Sequence, residues 1–277
     1  MDPEQALRDF EARIENYAAS YETVEDEEGA YAKIINLGTQ MIINSLRDQQ
    51  QSRIVFFVMN VHVRRRSIFL CRHGETLFNV AGRIGGNADL SEGGGEFARE
   101  LPQILERAMH ESGEEGLWER NGNVRVWTST LKRTIQTAQH LKGMQQWKAL
   151  DELDAGLCDG LTYEEISERY PQDQSSRDQD KLHYRYRGGG ESYADVILRL
   201  EPVIVEMERT ENLVIIGHQA VLRVLFGYLV GVRVEEIPYL RIPLHVVVRV
   251  TPTAYGCEVR EYTSRVSAVD THRPKPV

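Results

Sequence analysis

Two short runs of unbroken apolar residues, Ile-Phe-Leu-Cys at 68–71 and Leu-Val-Ile-Ile at 213–216, constrain this chain more than any other feature. A strand that is apolar on both sides must be covered on both sides, as in parallel sheets flanked by helices. A third short run, Val-Arg-Val-Trp at 124–127, has the same strand character. Between the runs, apolar residues fall at helical spacing: Phe97, Leu101 and Leu105; then Leu131, Ile135, Ala138 and Leu141; then Tyr193, Val196, Leu200, Ile204 and Met207. Pro202 is expected to kink the last of these helices. A helix over 221–229 follows, then two strands at 246–250 and 259–262. This alternation predicts an α/β fold with a largely parallel central sheet and helices on both faces.

The chain's 277 residues suit one large domain, or one domain with an appendage. The formal net charge of −9 argues against a nucleic-acid partner, and means that any polyanionic ligand needs a locally cationic pocket. The three cysteines form no C-x-x-C pair and suit a reducing compartment. The sequence shows no signal peptide and no apolar run long enough to span a bilayer, so no membrane partner and a cytoplasmic location are expected. Residues 1–65 form the appendage. They begin with Asp2-Pro3-Glu4, a helix start that places Ala6, Leu7, Phe10 and Ile14 on one stripe. An acidic turn at 22–29, apolar stretches at 32–35 and 41–43, and a helix through Ile54, Phe57, Val58 and Val61 follow. Arg64-Arg65-Arg66 reads as the connector to a domain over 66–277.

Two of the strands end in histidine, Arg72-His73-Gly74 and Gly217-His218. Ligands of open α/β sheets collect at the carboxyl ends of strands, so neighbouring strands would bring both rings to one crevice. Arg72 offers a forked donor matched to phosphate oxygens, and Gly74 permits close backbone approach. The strand at 124–127 runs into a helix with Arg133 in its first turn, next to a helix N-terminus that favours anions. Glu152 or Asp154 would supply an acid. Two histidines, two arginines and an acid describe a phosphoryl-transfer site without a metal. Arg177 and Lys181 stand four apart, a like-charge pair that an anion between them would relieve on a helix. His62, His110, His140, His183, His245 and His272 fall in connectors, loops or helix faces and are assigned no role. No H-E-x-x-H and no cysteine–histidine cluster occurs, so neither a metal nor another cofactor is expected.

The arginine–histidine–glycine tripeptide after the first strand, with a second histidine far downstream, resembles the histidine phosphatase superfamily. Residues 70–75, 82–86, 134–138 (Thr-Ile-Gln-Thr-Ala), 163–166 (Tyr-Glu-Glu-Ile), 190–193 (Gly-Glu-Ser-Tyr) and 218–223 (His-Gln-Ala-Val-Leu-Arg) resemble one family within it. That family is the fructose-2,6-bisphosphatase domain of bifunctional 6-phosphofructo-2-kinase/fructose-2,6-bisphosphatases, and the likeness covers about residues 66 to 272. The stretches 2–6, 17–21 and 51–55 resemble the end of the family's kinase domain. No G-x-x-x-x-G-K-[ST] loop is present, so kinase activity is not expected, and the chain is either a fragment or a natural kinase-less form.

The resemblance implies roles. His73 would be the phosphohistidine nucleophile; Arg72, Asn79, Arg133 and His218 would surround the 2-phosphoryl group; Glu152 would be the general acid. Gly85 would lie against the sugar phosphate. Tyr163, Arg177, Lys181, Arg185, Tyr193, Gln219 and Arg223 would hold the sugar and its 6-phosphate. The implied partner is a small sugar bisphosphate, and the implied assembly a monomer or weak homodimer. Gly217 stands where the family more often has cysteine, which should loosen packing behind His218. Residues 108–122 look like an acidic insertion, and the 187–190 turn is one residue longer than usual before Tyr193. A broad histidine phosphatase or a phosphoglycerate mutase is the competing enzymatic reading, and a non-catalytic regulatory module the reading outside catalysis.

Overall fold

The computed structural model of the chain describes residues 3–35, 40–59, 66–111, 124–253 and 256–275. It divides into two units, Met1–Val63 and Arg64–Val277. The smaller unit holds helix α1 (Pro3–Ser20), an antiparallel hairpin of β1 (Tyr31–Ile35) and β2 (Gln40–Asn44), and helix α2 (Gln49–Met59). The apolar stripe expected on α1 forms, yet Leu7, Phe10 and Ile14 are each more than half exposed, at 58%, 61% and 52%. Val61, His62, Arg64 and Arg65 lie outside the described residues.

In the larger unit, β3 (Ile68–Arg72) leads through α3 (Leu77–Val80) and α4 (Glu92–His110) to β4 (Val124–Thr128). Helix α5 (Lys132–Ala138) and the three-residue edge strand β5 (Met144–Gln146) follow, then α6 (Tyr163–Arg169), α7 (Pro171–Gln179) and α8 (Tyr193–Arg209). Strand β6 (Asn212–Gly217), helix α9 (Gln219–Val230) and strands β7 (Val246–Thr253) and β8 (Gly256–Thr263) complete it. The sheet order is β5-β4-β6-β3-β7-β8, parallel from β5 to β3 and antiparallel across β7 and β8. The largely parallel sheet is as expected. Only the short, polar β5 was invisible in the sequence.

Alternation along the strands builds two cores. Ile68 and Leu70 of β3 join Leu213 and Ile215 of β6 under α8 and α9, while Phe69, Cys71, Val214 and Ile216 face α4. All four β3 side chains from Ile68 to Cys71 are fully buried, worth about 1.5–3 kcal/mol for each large apolar one. Ser192 and Asp195 close a reciprocal capping box at the start of α8, which continues through Pro202. Pro202 and Leu198, the residue whose carbonyl loses its partner, both face solvent, so water can serve that carbonyl. Arg66 is more than a connector: its guanidinium is buried against the carbonyls of Met207, Glu208 and Thr210, capping the end of α8.

The chain leaves β3 for β4 past β6 on one face, and leaves β6 for β7 past β3 on the other. Adjacent strands with outgoing connections to opposite sides open a crevice at their carboxyl ends. Pairing of Arg72 with Gly217 places that crevice at His73 and His218.

Three local expectations change. Helix α5 turns Arg133, Thr134, Thr137 and Ala138 inward, and leaves Leu131 and Ile135 half-buried. Its inner face is polar because hydroxyls there serve main chain: Thr137 Oγ1 accepts the Gly74 N–H at 2.8 Å. Packing behind His218 is not loosened at Gly217, since a Cβ there would lie 3.1 Å from Leu222 Cδ2. The 93–95 glycine run, which by composition alone reads as a loose opening to a helix, instead lets α4 pack tightly. A Cβ on Gly94 would stand 2.0 Å from the Glu75 carbonyl, and one on Gly74 would stand 2.7 Å from the Gly94 carbonyl. The two glycines let α4 seat directly on the loop after β3. Of the 108–122 segment, residues 108–110 end α4, and 112–122 lie outside the described residues.

Gly94→Ala is therefore expected to destabilise by about 1–3 kcal/mol, as overpacking does. Gly95→Ala, whose Cβ would have only an Arg99 nitrogen at 3.9 Å, should be neutral or stabilising. Urea unfolding midpoints of the two variants provide the comparison.

Candidate active site

A cavity of roughly 260 Å³ opens at the carboxyl ends of β3 and β6. His73 stands in it 4% exposed, just beyond the last residue of β3, its N–H continuing the ladder to Gly217 O at 3.0 Å. Its Nδ1 lies 2.8 Å from the Gly74 carbonyl. A carbonyl only accepts, so Nδ1 carries the proton and Nε2 keeps its lone pair. Burial first, then the guanidinium groups of Arg133 and Arg72, hold the imidazole well below its ordinary pKa. The ring is neutral, with its free lone pair at Nε2.

Arg72 donates through Nη1 to Ile242 O at 3.0 Å and Thr271 Oγ1 at 2.8 Å. Its buried Nε has no partner among the described residues. Burial pushes Arg72 down to about 10, which still leaves it charged at neutral pH. Arg133 donates through Nη1 to Gly86 O at 2.5 Å and through Nε to His218 Nδ1 at 3.1 Å. His218 is fully buried behind the cavity wall, its ring 5.2 Å from that of His73. Its Nε2 donates to Ser129 Oγ at 2.7 Å, so both ring nitrogens are committed. The structure thus brings His218 to the site as the group that aims Arg133, rather than as a wall of the cavity.

Glu152 lines the cavity at the N-terminus of α9. Its Oε1 accepts from Leu153 N at 2.9 Å and Ala220 N at 3.1 Å, whereas Oε2 has only a 3.4 Å approach from Ala220. Asp154, the alternative acid, is spent on Gly156 N and lies outside the cavity. Asn79 uses its carbonyl oxygen to cap α3 through Thr76, leaving its amide N–H groups for the cavity it lines. Gly85 and Gly86 both take left-handed backbone, where side chains on them would strike Asp159 and Phe78.

A second group of cations shares the cavity. Lys181 is 8% exposed and donates to Pro238 O at 2.9 Å. Arg223 donates to Leu240 O at 2.6 Å and to Tyr193 Oη at 2.9 Å. Arg177 bonds Tyr186 Oη at 3.0 Å and pairs with Asp178 at 3.1 Å. Tyr163, Tyr193 and Gln219 complete the expected lining. Arg185 does not join it; its guanidinium pairs with Asp195 and reaches Gly190 O. Arg177 and Lys181 do not share a helix either, because α7 ends at Gln179. Most of these cations meet carbonyls or hydroxyls rather than carboxylates, so their charge stays available to an anion. Burial, then Arg223 and Arg177, push Lys181 down to about 6.

Sequence reasoning missed the last wall. Residues 269–273 run along the cavity, with Val269 N bonded to Glu75 Oε2 at 2.9 Å and the Arg273 guanidinium 3.5 Å above the Tyr163 ring. His272, assigned no role, is part of that wall. His245, also assigned none, is buried and accepts the Glu75 N–H at 2.9 Å. The signal for His245 was a polar ring inside the otherwise apolar stretch 242–248.

Residues 68–265 match the family model of the histidine phosphatase superfamily, branch 1. The chain belongs to that superfamily. Residues 1–65 match the model of 6-phosphofructo-2-kinase. Over 279 residues the chain is 47% identical to 6-phosphofructo-2-kinase/fructose-2,6-bisphosphatase 4 of Rattus norvegicus, covering 99% of this chain and 57% of that relative. It is also 47% identical over 278 residues to the Fructose-2,6-bisphosphatase of Saccharomyces cerevisiae, covering 99% and 59%. The chain therefore spans a little over half the length of these relatives. Two solved phosphatase structures share this fold. The alpha-ribazole phosphatase of Shigella flexneri aligns with TM-score 0.57 at 24% identity, over 74% of this chain and all of that one. A mycobacterial glucosyl-3-phosphoglycerate phosphatase complexed with VO3 aligns with TM-score 0.57 at 22% identity, over 73% and 100%.

The Lys181 environment gives a prediction with a definite sign. An ammonium titrating at about 6 is neutral above that pH, and a bound phosphate dianion favours its charged form. At about pH 7.5, binding of a phosphate ester should take up close to one proton, read as the slope of calorimetric heat against buffer ionisation enthalpy. Lys181→Met should remove that uptake.

Proposed function

We propose that this chain hydrolyses the 2-phosphate of fructose 2,6-bisphosphate through a phosphohistidine, giving fructose 6-phosphate and phosphate. The observation that carries the reading is a single cavity with two sets of basic side chains: Arg72 and Arg133 beside a neutral His73, and Arg177 and Arg223 beside Lys181, which regains its charge as an anion binds. A substrate with two phosphates suits that arrangement, and the name of the yeast relative supports the choice of sugar. No kinase chemistry is proposed for these 277 residues, which contain no nucleotide-phosphate loop.

In the first step the His73 Nε2 lone pair forms a bond to phosphorus while the bond to the anomeric oxygen breaks. Glu152 acts as the general acid and gives a proton to that leaving oxygen. Arg72 and Arg133 match the charge on the equatorial oxygens, and the Asn79 amide adds neutral donors. The phosphorylated ring gains positive charge, which the Gly74 carbonyl faces at Nδ1. In the second step water attacks phosphorus, its proton passes to the Glu152 carboxylate, and Nε2 recovers its lone pair. His218 holds Arg133 in place through both steps. Arg177, Lys181, Arg223, Tyr163, Tyr193 and Gln219 bind the sugar and the remote phosphate.

The test is fructose 6-phosphate release from fructose 2,6-bisphosphate, measured beside 3-phosphoglycerate and p-nitrophenyl phosphate. Selective turnover of the bisphosphate is expected, with no labelled phosphoenzyme in His73→Ala. Equal or better turnover of the other esters would make the chain a general histidine phosphatase or mutase. Glu152→Gln should lower kcat on the order of 10²-fold or more with KM little changed.

A further inference from the structure

The Gly74 carbonyl that receives the His73 Nδ1 proton belongs to the same planar peptide unit as the Glu75 N–H. Whatever holds that N–H therefore also aims the carbonyl. The N–H donates to His245 Nε2 at 2.9 Å, at one end of the amide, and His73 Nδ1 lies 2.8 Å from the oxygen at the other. His245 Nδ1 is 3.0 Å from the Val266 carbonyl, so Nδ1 bears the proton and Nε2 is the acceptor. The two imidazoles share one tautomer, joined head to tail by an amide.

His245 is built into place. It is 2% exposed, stacks on Phe97 with centroids 4.5 Å apart and planes 12° apart, and takes left-handed backbone at φ 56°. Few non-glycine residues take that conformation, and histidine, like asparagine and aspartate, takes it more readily than most. The groups facing the ring are Glu75, Arg72 and His73, together with the carbonyls of Val266 and Ser267. The Glu75 carboxylate is itself engaged by Ser91 Oγ and Val269 N, and so leaves the peptide N–H to His245.

We propose that His245 is the positioning residue of the nucleophile, fixing the tautomer and orientation of His73 through the Gly74–Glu75 peptide. A second proton on His245 would turn Nε2 into a donor against the Glu75 N–H, releasing the peptide to rotate and His73 to lose its Nδ1 acceptor. The proposal rests on His73 as the nucleophile, which phosphoenzyme formation in His73→Ala tests by itself.

The experiment compares His245→Ala with His245→Gln, whose side-chain oxygen can take the place of Nε2. Both carry the same left-handed backbone penalty, so their difference reports the acceptor. With p-nitrophenyl phosphate, Ala should lower kcat on the order of ten- to a hundredfold with KM little moved, as misplacement of a reacting atom does. Gln should recover most of the loss. Nitrogen-15 spectra of His73 should show the Nδ1–H form in wild type and Gln, and a mixture in Ala. Equal activity loss in both variants with His73 still Nδ1–H would overturn the proposal. Should neither variant fold, acid titration of the wild-type chain decides the matter. His73 must leave the Nδ1–H form as His245 gains its second proton, and a His73 signature unchanged through that event would also overturn it.

Discussion

The register of β3 against β6 is the constraint on which the larger unit depends. Arg72 opposite Gly217 places His73 beside His218 and puts Arg72 at the mouth of the sheet. A slip of one residue would carry Ile68 and Leu70 into the layer of Phe69 and Cys71, and would invert every inward contact of the strand. Burial on both faces forbids that slip. The apolar runs that hold the sheet together thus also set where the reactive ring stands, and stability and chemistry share one alignment.

The second organising force is charge. A chain of net charge −9 gathers Arg72, Arg133, Lys181 and Arg223 around one cavity and answers them mainly with carbonyls and hydroxyls. Carboxylates there would have neutralised the site and stabilised it when empty. Neutral acceptors fix the geometry and leave the field in place, at a desolvation cost that a bound anion offsets. Lys181 shows the cost: burial first, then the nearness of Arg223 and Arg177, push it down to about 6. Arg83 is treated differently: it lines the cavity but is matched by Glu165 at 3.0 Å, and contributes shape more than field.

The sheet was legible in the sequence because its signal is local: unbroken apolar strands and helical spacing each occupy a few residues. The histidines and Arg133 were legible because each follows a strand end or opens a helix, whereas Glu152 lies in a loop and stayed an alternative to Asp154 until the structure brought Glu152 alone to the cavity. Contacts between distant segments were not. Gly94 reads as a loose helix start until Glu75 is seen against it, and α5 reads as apolar inside until Thr137 is seen serving Gly74. His245 meets Glu75 from 170 residues away, and Val269 meets it from 194. Arg185 errs in the other direction. The family resemblance implied a substrate contact for its side chain, but Asp195, fixed by the α8 capping box, claims it first.

The wall supplied by residues 269–273 bears on how the site comes into being. Thr271 bonds Arg72 across 199 residues of sequence, so the first strand of the larger unit and nearly its last segment meet at the reacting centre. During synthesis His73 emerges early, whereas the cavity it stands in is closed only when the segment 269–273 has been translated. Long-range closure of this kind is slow compared with local helix formation. A half-made chain carries His73 without an enclosed pocket around it, and the cavity is complete only once the segment 269–273 has been made.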